Sequence, residues 1–148
     1  MKFVGLLTYK IPGRPVTKKN SMRMVKNPKT GKMFPLPSKQ YKEYEREAGE
    51  HLKPKPVEPI DIPINVTVLY FLSRNKDGNI PKSVPDLTNL LEATDDLLVH
   101  YGIIKDDNAL IVAGHDGSMV SFISGEPYSR VIIRPVDGGF WSGELKDG

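Results

Sequence analysis

The sequence predicts an α/β fold of the α+β kind, a mixed sheet of about four or five strands carrying two main helices, from three observations. Residues 62–72, IPINVTVLYFL, are rich in β-branched and aromatic side chains that alternate through Ile64, Val66, Val68 and Tyr70, the period of a strand. From Pro85 onward the apolar positions Leu87, Leu90, Leu91, Leu97 and Leu98 recur at helical spacing. Residues 109–123 and 128–135 then form two strand candidates parted by the turn sequence Ser124-Gly125-Glu126-Pro127, which adds an antiparallel component to the sheet.

Taken in chain order, residues 3–11 read as a strand ended by Pro12-Gly13. Residues 12–37 form a Pro/Gly/Lys segment too long for an ordinary connection, with Asn27-Pro28-Lys29-Thr30-Gly31 placed as the tip of a hairpin or flap. Ser38 is expected to cap a helix over residues 39–52, whose Tyr41, Tyr44 and Ala48 share one apolar face, and Pro54, Pro56 and Pro59 stop it. After the strand at 62–72 comes a polar loop at 73–84. Pro85 suits the first turn of the central helix and Gly102 its end. The organisation expected is a single domain over 1–136 with a flexible, Gly-rich, acidic tail over 137–148.

A chain of 148 residues is long enough to close a hydrophobic core without staples, and the absence of cysteine excludes disulfides, thiol nucleophiles and iron–sulfur clusters. With 39% hydrophobic and 26% charged residues it falls among globular proteins rather than disordered, fibrous or membrane ones. The opening MKFVGLLTYKIPG is interrupted by Tyr9 and Lys10 too soon to span a bilayer, and no small-residue cleavage site follows it. The net charge of +3 is a mild bias towards polyanions, but its distribution says more. Lys10, Arg14, Lys18, Lys19, Arg23, Lys26, Lys29 and Lys32 all precede the first acid, Glu43, whereas acids gather between Asp86 and Asp107. A basic arm feeding an acidic centre suits an enzyme that grips phosphates with one and holds metal with the other.

The informative stretch is Pro85-Asp86-Leu87-Thr88-Asn89-Leu90-Leu91-Glu92, then Asp95-Asp96-Leu97-Leu98, then Gly102 and Lys105-Asp106-Asp107-Asn108. Taken alone, Asp86 reads as a helix-capping acid, Asp106-Asp107-Asn108 as a turn, and Asp95 and Asp96 as part of a solvated face. The two ends of such a helix lie about 25 Å apart. For Asp106-Asp107 to meet Asp86, the chain after Gly102 must reverse and run back extended, as a strand over Asp107–Val112. His51, His100 and His115 show no ligand spacing and are read as structural or surface residues. Trp141, Tyr70 and Phe71 are read as packing residues rather than a base-stacking platform.

Pro85-Asp86-Leu87-Thr88-Asn89-Leu90, with Gly102 and Asp106-Asp107 at the matching interval, resembles the signature of the RusA family of Holliday junction resolvases. Asp96-Leu97-Leu98 falls where that family carries Asp-Ala-Leu, and Pro12–Lys19 and Pro37–Tyr44 resemble its less specific N-terminal elements. The resemblance implies a dimeric endodeoxyribonuclease that resolves four-way DNA junctions in recombination and repair, dependent on Mg²⁺ or Mn²⁺, in a cytoplasmic, bacterial or phage-derived setting. Carried over residue by residue, Asp86 and Asp107 become catalytic metal ligands with Asp106 beside them. Two positions depart from the family: Thr88 stands where a second essential Asp is usual, and Glu92 where a Lys is usual. Thr88 and Glu92 are four residues apart on one helical face, so Glu92 is the candidate to supply the missing carboxylate as catalytic residue and ligand. Thr88 and Asp96 are secondary candidates. Lys18, Lys19, Arg23 and Lys26 are the expected DNA contacts. The runner-up reading is a branched-DNA-binding protein with weak or lost nuclease activity; a small interaction protein with an acidic helix stands behind both.

Overall fold

The computed structural model describes residues 6–18, 22–136 and 141–147. The part of the first expected strand at residues 3–5 therefore lies outside the described residues. Eleven elements follow in order. They are β1 (Leu7–Pro12), β2 (Met22–Lys26), β3 (Met33–Pro37), α1 (Lys39–His51), β4 (Lys55–Pro56), β5 (Ile64–Ser73), α2 (Leu87–His100), β6 (Val112–Gly114), β7 (Met119–Ile123), β8 (Tyr128–Pro135) and β9 (Leu145–Lys146).

The main sheet has five strands in the order β1-β8-β5-β6, with β7 also paired to β5. Strand β5 pairs antiparallel with β8 from Ile64 to Phe71, and parallel on its other edge with β6 and then β7. The mixed sheet with two helices is the fold class expected. Alternation on β5 decides which face is covered: Ile64, Val66, Val68 and Tyr70 are all buried against the helices, and the Tyr70 hydroxyl lies 2.6 Å from Thr94 Oγ1 in α2. Leu90, Leu97 and Leu98 of α2, Tyr44 and Ala48 of α1, and Leu7, Tyr9 and Ile11 of β1 complete one core.

The stretch at 109–123 is two strands rather than one. The loop between them is stapled by side chains of β5: Asn65 Nδ2 and Thr67 Oγ1 donate to the Asp116 carbonyl, and Asn65 Oδ1 accepts from Asp116 N–H. Gly117, at φ 86°, supplies the left-handed backbone that the turn needs. Helix α1 begins as expected, with Ser38 Oγ accepting from Tyr41 N–H at 3.1 Å. Pro85, by contrast, precedes α2 instead of entering its first turn, because Asp86 occupies the N-cap. Of the tail expected over 137–148, residues 137–140 and 148 lie outside the described residues; within 141–147, β9 pairs with β4 and Leu145 is buried in the core.

After α2, Gly102 at φ 73° reverses the chain, and Ile103 N–H donates to the Leu98 carbonyl. Ile60 N–H donates to Ile103 O, Lys105 N–H donates to Ile60 O, and both Ile103 and Ile104 are buried. This pin determines where Asp106 and Asp107 start. The returning stretch is a compact turn, not the extended strand over Asp107–Val112: Ile111 and Val112 N–H both donate to Asn108 O.

Gly49 of α1 sits under the Tyr101 ring, whose hydroxyl donates to Glu45 O at 2.7 Å. A Cβ at position 49 would overlap that ring. Gly49→Ala is expected to lower stability by about 1–3 kcal/mol, because overpacking against a held ring outweighs the ~1 kcal/mol gain in helix propensity. Urea denaturation checks this; a variant at least as stable as the parent would mean that Tyr101 moves aside freely.

Candidate functional site

Helix α2 carries the acidic centre because its apolar stripe leaves a second face to solvent. Thr88, Glu92 and Asp96 follow one another at four-residue intervals along that face, spanning about 12 Å of helix axis. Thr88 and Glu92 are exposed, whereas Asp96 is half-buried. A shallow cleft at Glu92 and Asp96 is closed by Thr17 and Lys18 from the segment after β1, with Asn89 and Ala93 completing its wall.

Asp96 is where the charges converge. Burial pushes its carboxyl above the usual carboxylate range, Lys18 pulls it down, and the negative charges of Asp107, Glu92 and Asp95 push it further up. The Ile60 pin thus delivers Asp107 to the C-terminal half of α2. Asp86 stands at the other end as N-cap, exposed and making no capping hydrogen bond through its side chain. It lies ten residues, or about 15 Å of helix rise, from Asp96, with Glu92 between them. Asp106 does other work: its Oδ1 accepts from Asp107 N–H at 2.7 Å and its Oδ2 from Asn108 Nδ2 at 2.9 Å, so both oxygens build the turn that presents Asp107.

Two residues next to this centre were not singled out by sequence reasoning. Asp95, expected on a solvated face, is buried, and its Oδ2 lies 2.8 Å from His115 Nε2. His115 Nδ1 lies 2.9 Å from the Val66 carbonyl, so both ring nitrogens face oxygens. A neutral imidazole has one N–H and satisfies only one acceptor; the pair is complete when it holds an additional proton, as imidazolium or as a protonated Asp95. The shifts agree: the bond to Asp95 raises the His115 pKa, partly offset by burial, and burial raises that of Asp95. The one signal in the sequence was Asp95 on the same helical stripe as Leu91 and Leu98, a buried position.

Of the expected cations, Lys18 lines the cleft, Arg23 and Lys26 are exposed on β2, and Lys19 lies outside the described residues. Among the described residues no three His, Asp or Glu side chains are gathered closely enough to enclose a metal ion. The donor chemistry nevertheless fits magnesium, which takes oxygen ligands, keeps several waters and commonly uses only one or two carboxylates plus substrate phosphate. Asp96 lines the cleft with Glu92 and feels the negative charge of Asp107. No helix among the described residues is long and apolar enough to cross a membrane.

Two comparisons with known proteins bear on this arrangement. The family model described as endodeoxyribonuclease RusA matches residues 12–134, which include both helices, every carboxylate of the centre and the main sheet apart from Leu7–Ile11 of β1 and Pro135 of β8. No curated protein matches the chain.

The His115 pairing has a consequence for pH. A histidine whose folded pKa is raised contributes stability that is fully present below its unfolded value, about 6.5, and is lost as pH rises through the folded value. His115→Gln is therefore expected to cost about 1–3 kcal/mol near pH 6, with the gap to the parent narrowing by pH 9. Urea midpoints at both pH values test it, and a gap that stays constant would show a ring held neutral throughout.

Proposed function

We propose that this chain, which belongs to the endodeoxyribonuclease RusA family, hydrolyses phosphodiesters at four-way DNA junctions with the help of a divalent cation. The observation that carries the reading is the cleft in which Lys18 lies with Glu92 and half-buried Asp96, whose carboxyl also feels the negative charge of Asp107. Carboxylates packed in this way repel one another unless protons or a hard cation intervene. Asp96, Asp107 and Glu92 would hold Mg²⁺ or Mn²⁺ jointly with a substrate phosphate, and a hard dication supplies charge that offsets what builds on the phosphate oxygens.

The chain's own groups have separable tasks. Lys18 draws a phosphate into the cleft and keeps the acids from repelling it. Asp106 holds the turn that presents Asp107, and Asp86, exposed at the start of α2, would be a further carboxylate ligand of a divalent cation carrying the substrate phosphate. Glu92 takes up the role that Thr88 cannot fill, its position midway between Asp86 and Asp96 letting it serve either end. Arg23 and Lys26 track neighbouring phosphates, so that binding weakens steeply with salt. A four-way junction presents two equivalent strands, which calls for a homodimer with one centre for each. A cytoplasmic setting accords with this role.

Asp107→Asn and Asp86→Asn are each expected to abolish cutting of a synthetic four-way junction in magnesium while leaving junction binding intact or tighter, since a repulsive carboxylate is removed. Full cutting by both variants would place the chemistry elsewhere. Glu92→Gln is expected to reduce cutting at least about tenfold, the effect of removing one transition-state contact worth ~1.4 kcal/mol. If Glu92→Gln cuts at the parent rate, the Glu92 role is lost; if the parent binds junctions but does not cut them in Mg²⁺ or Mn²⁺, the protein is a branched-DNA binder, as the Thr88 and Glu92 departures would then explain.

A further inference from the structure

The hairpin of β2 and β3 is a two-stranded sheet of its own, separate from the main sheet. Its register places Met22 opposite Pro37, Met24 opposite Pro35 and Lys26 opposite Met33 on one face, and Arg23 opposite Leu36 and Val25 opposite Phe34 on the other. The methionine face is open, with Met22, Met24 and Met33 48%, 60% and 55% exposed, and on the other face Phe34 is 37% exposed while Val25 and Leu36 are half-buried. The tip is nonetheless built, with Asn27 Oδ1 accepting from Lys29 N–H at 2.9 Å, Gly31 N–H donating to Asn27 O, and Asn27 N–H donating to Lys32 O. Arg23, Lys26, Lys29 and Lys32 surround the apolar side chains, and no acid occurs before Glu43.

We propose that this hairpin is a wedge for branched DNA, its Met and Phe34 side chains lying against bases unstacked at the branch point while its cations hold the flanking phosphates. The inference rests on the reading of the protein as a junction endonuclease and assigns the hairpin a task within it. Charge selects the occupant: a hairpin with four cations and no acid repels a second copy of itself and attracts a polyanion. Shape and chemistry select the part of that polyanion. Duplex backbone offers nothing to exposed thioethers and a phenyl ring, whereas exposed base faces do, and inserted Phe and Met side chains are a known means of parting base steps. The hairpin is also rooted at the cleft, since Lys18 stands four residues before β2, a reach of about 14 Å at most.

The test uses a four-way junction carrying 2-aminopurine at the branch point, compared with a duplex of the same sequence. Parent protein is expected to bind the junction more tightly than the duplex and to raise the fluorescence of the probe. The variant Met24→Ser, Met33→Ser, Phe34→Ser changes only exposed side chains, and circular dichroism verifies its fold. It is expected to bind duplex as the parent does, to lose junction preference by about tenfold or more, as the loss of one or two base stacks implies, and to leave the probe quenched. Junction preference and probe signal equal to the parent's would overturn the wedge while leaving the nuclease reading intact. A parent that neither prefers nor cuts junctions would overturn the reading beneath it. A variant that shifts from dimer to monomer in sedimentation, with junction preference unchanged, would make the hairpin a contact between copies and likewise overturn the wedge.

Discussion

Strand β5 is hydrogen-bonded on both edges, and the rest of the molecule depends on that pairing. β8 pairs along one side and β6 and β7 along the other, and between β6 and β7 the side chains of His115 and Ser118 bond Val66 O and Val68 N–H. Its register is strongly specified, since a slip of one residue would carry Val66, Val68 and Tyr70 out of the core and bring Asn65 and Thr67 into it. Once that register is set, both faces act. The apolar face seats α2 through Tyr70 and Thr94. The polar face grips the 115–118 loop through Asn65 and Thr67, which carries His115 to Asp95.

Helix α2 then has to serve as core and as rim of the site at once. Its Leu90, Leu97 and Leu98 are buried in the core, while Asp95 and Asp96, neighbours in sequence, diverge by the 100° turn of a helix. One is buried against His115 and the other faces the cleft at Lys18. A buried carboxylate without a partner costs several kcal/mol. His115 therefore makes the position of Asp95 tolerable, and through the rigid helix it limits where Asp96 can stand. The acidic centre is tied to the core on one side by this pair and on the other by the Ile60 pin that holds Ile103 and Ile104.

The basic arm and the acidic centre are separated in sequence and adjoin in space. Lys18 closes the cleft over Asp96 and Glu92, and the end of the β2–β3 hairpin leads directly into Ser38 and α1. The hairpin carries cations and exposed apolar side chains, and the centre carries carboxylates. Such a division of labour suits a substrate that must be held by its phosphates and opened at its bases.

Periodicity and turn chemistry sufficed for the sequence to determine β5, β8, α1 with its Ser38 cap, α2, the hairpin tip at Asn27–Gly31 and the fold class, because each is a local pattern read against one buried face. The spacing from Asp86 to Asp107 likewise carried the family resemblance. What the sequence could not determine is which acids meet. Asp107 adds its negative charge to the surroundings of Asp96, because long-range bonds between Ile60 and Ile103–Lys105 fix where the turn that carries it begins. The Asp95–His115 pair joins residues twenty positions apart that no local pattern links. The split of 109–123 into β6 and β7 comes from side chains of β5 reaching across from another part of the chain. Those contacts exist only once the sheet has closed.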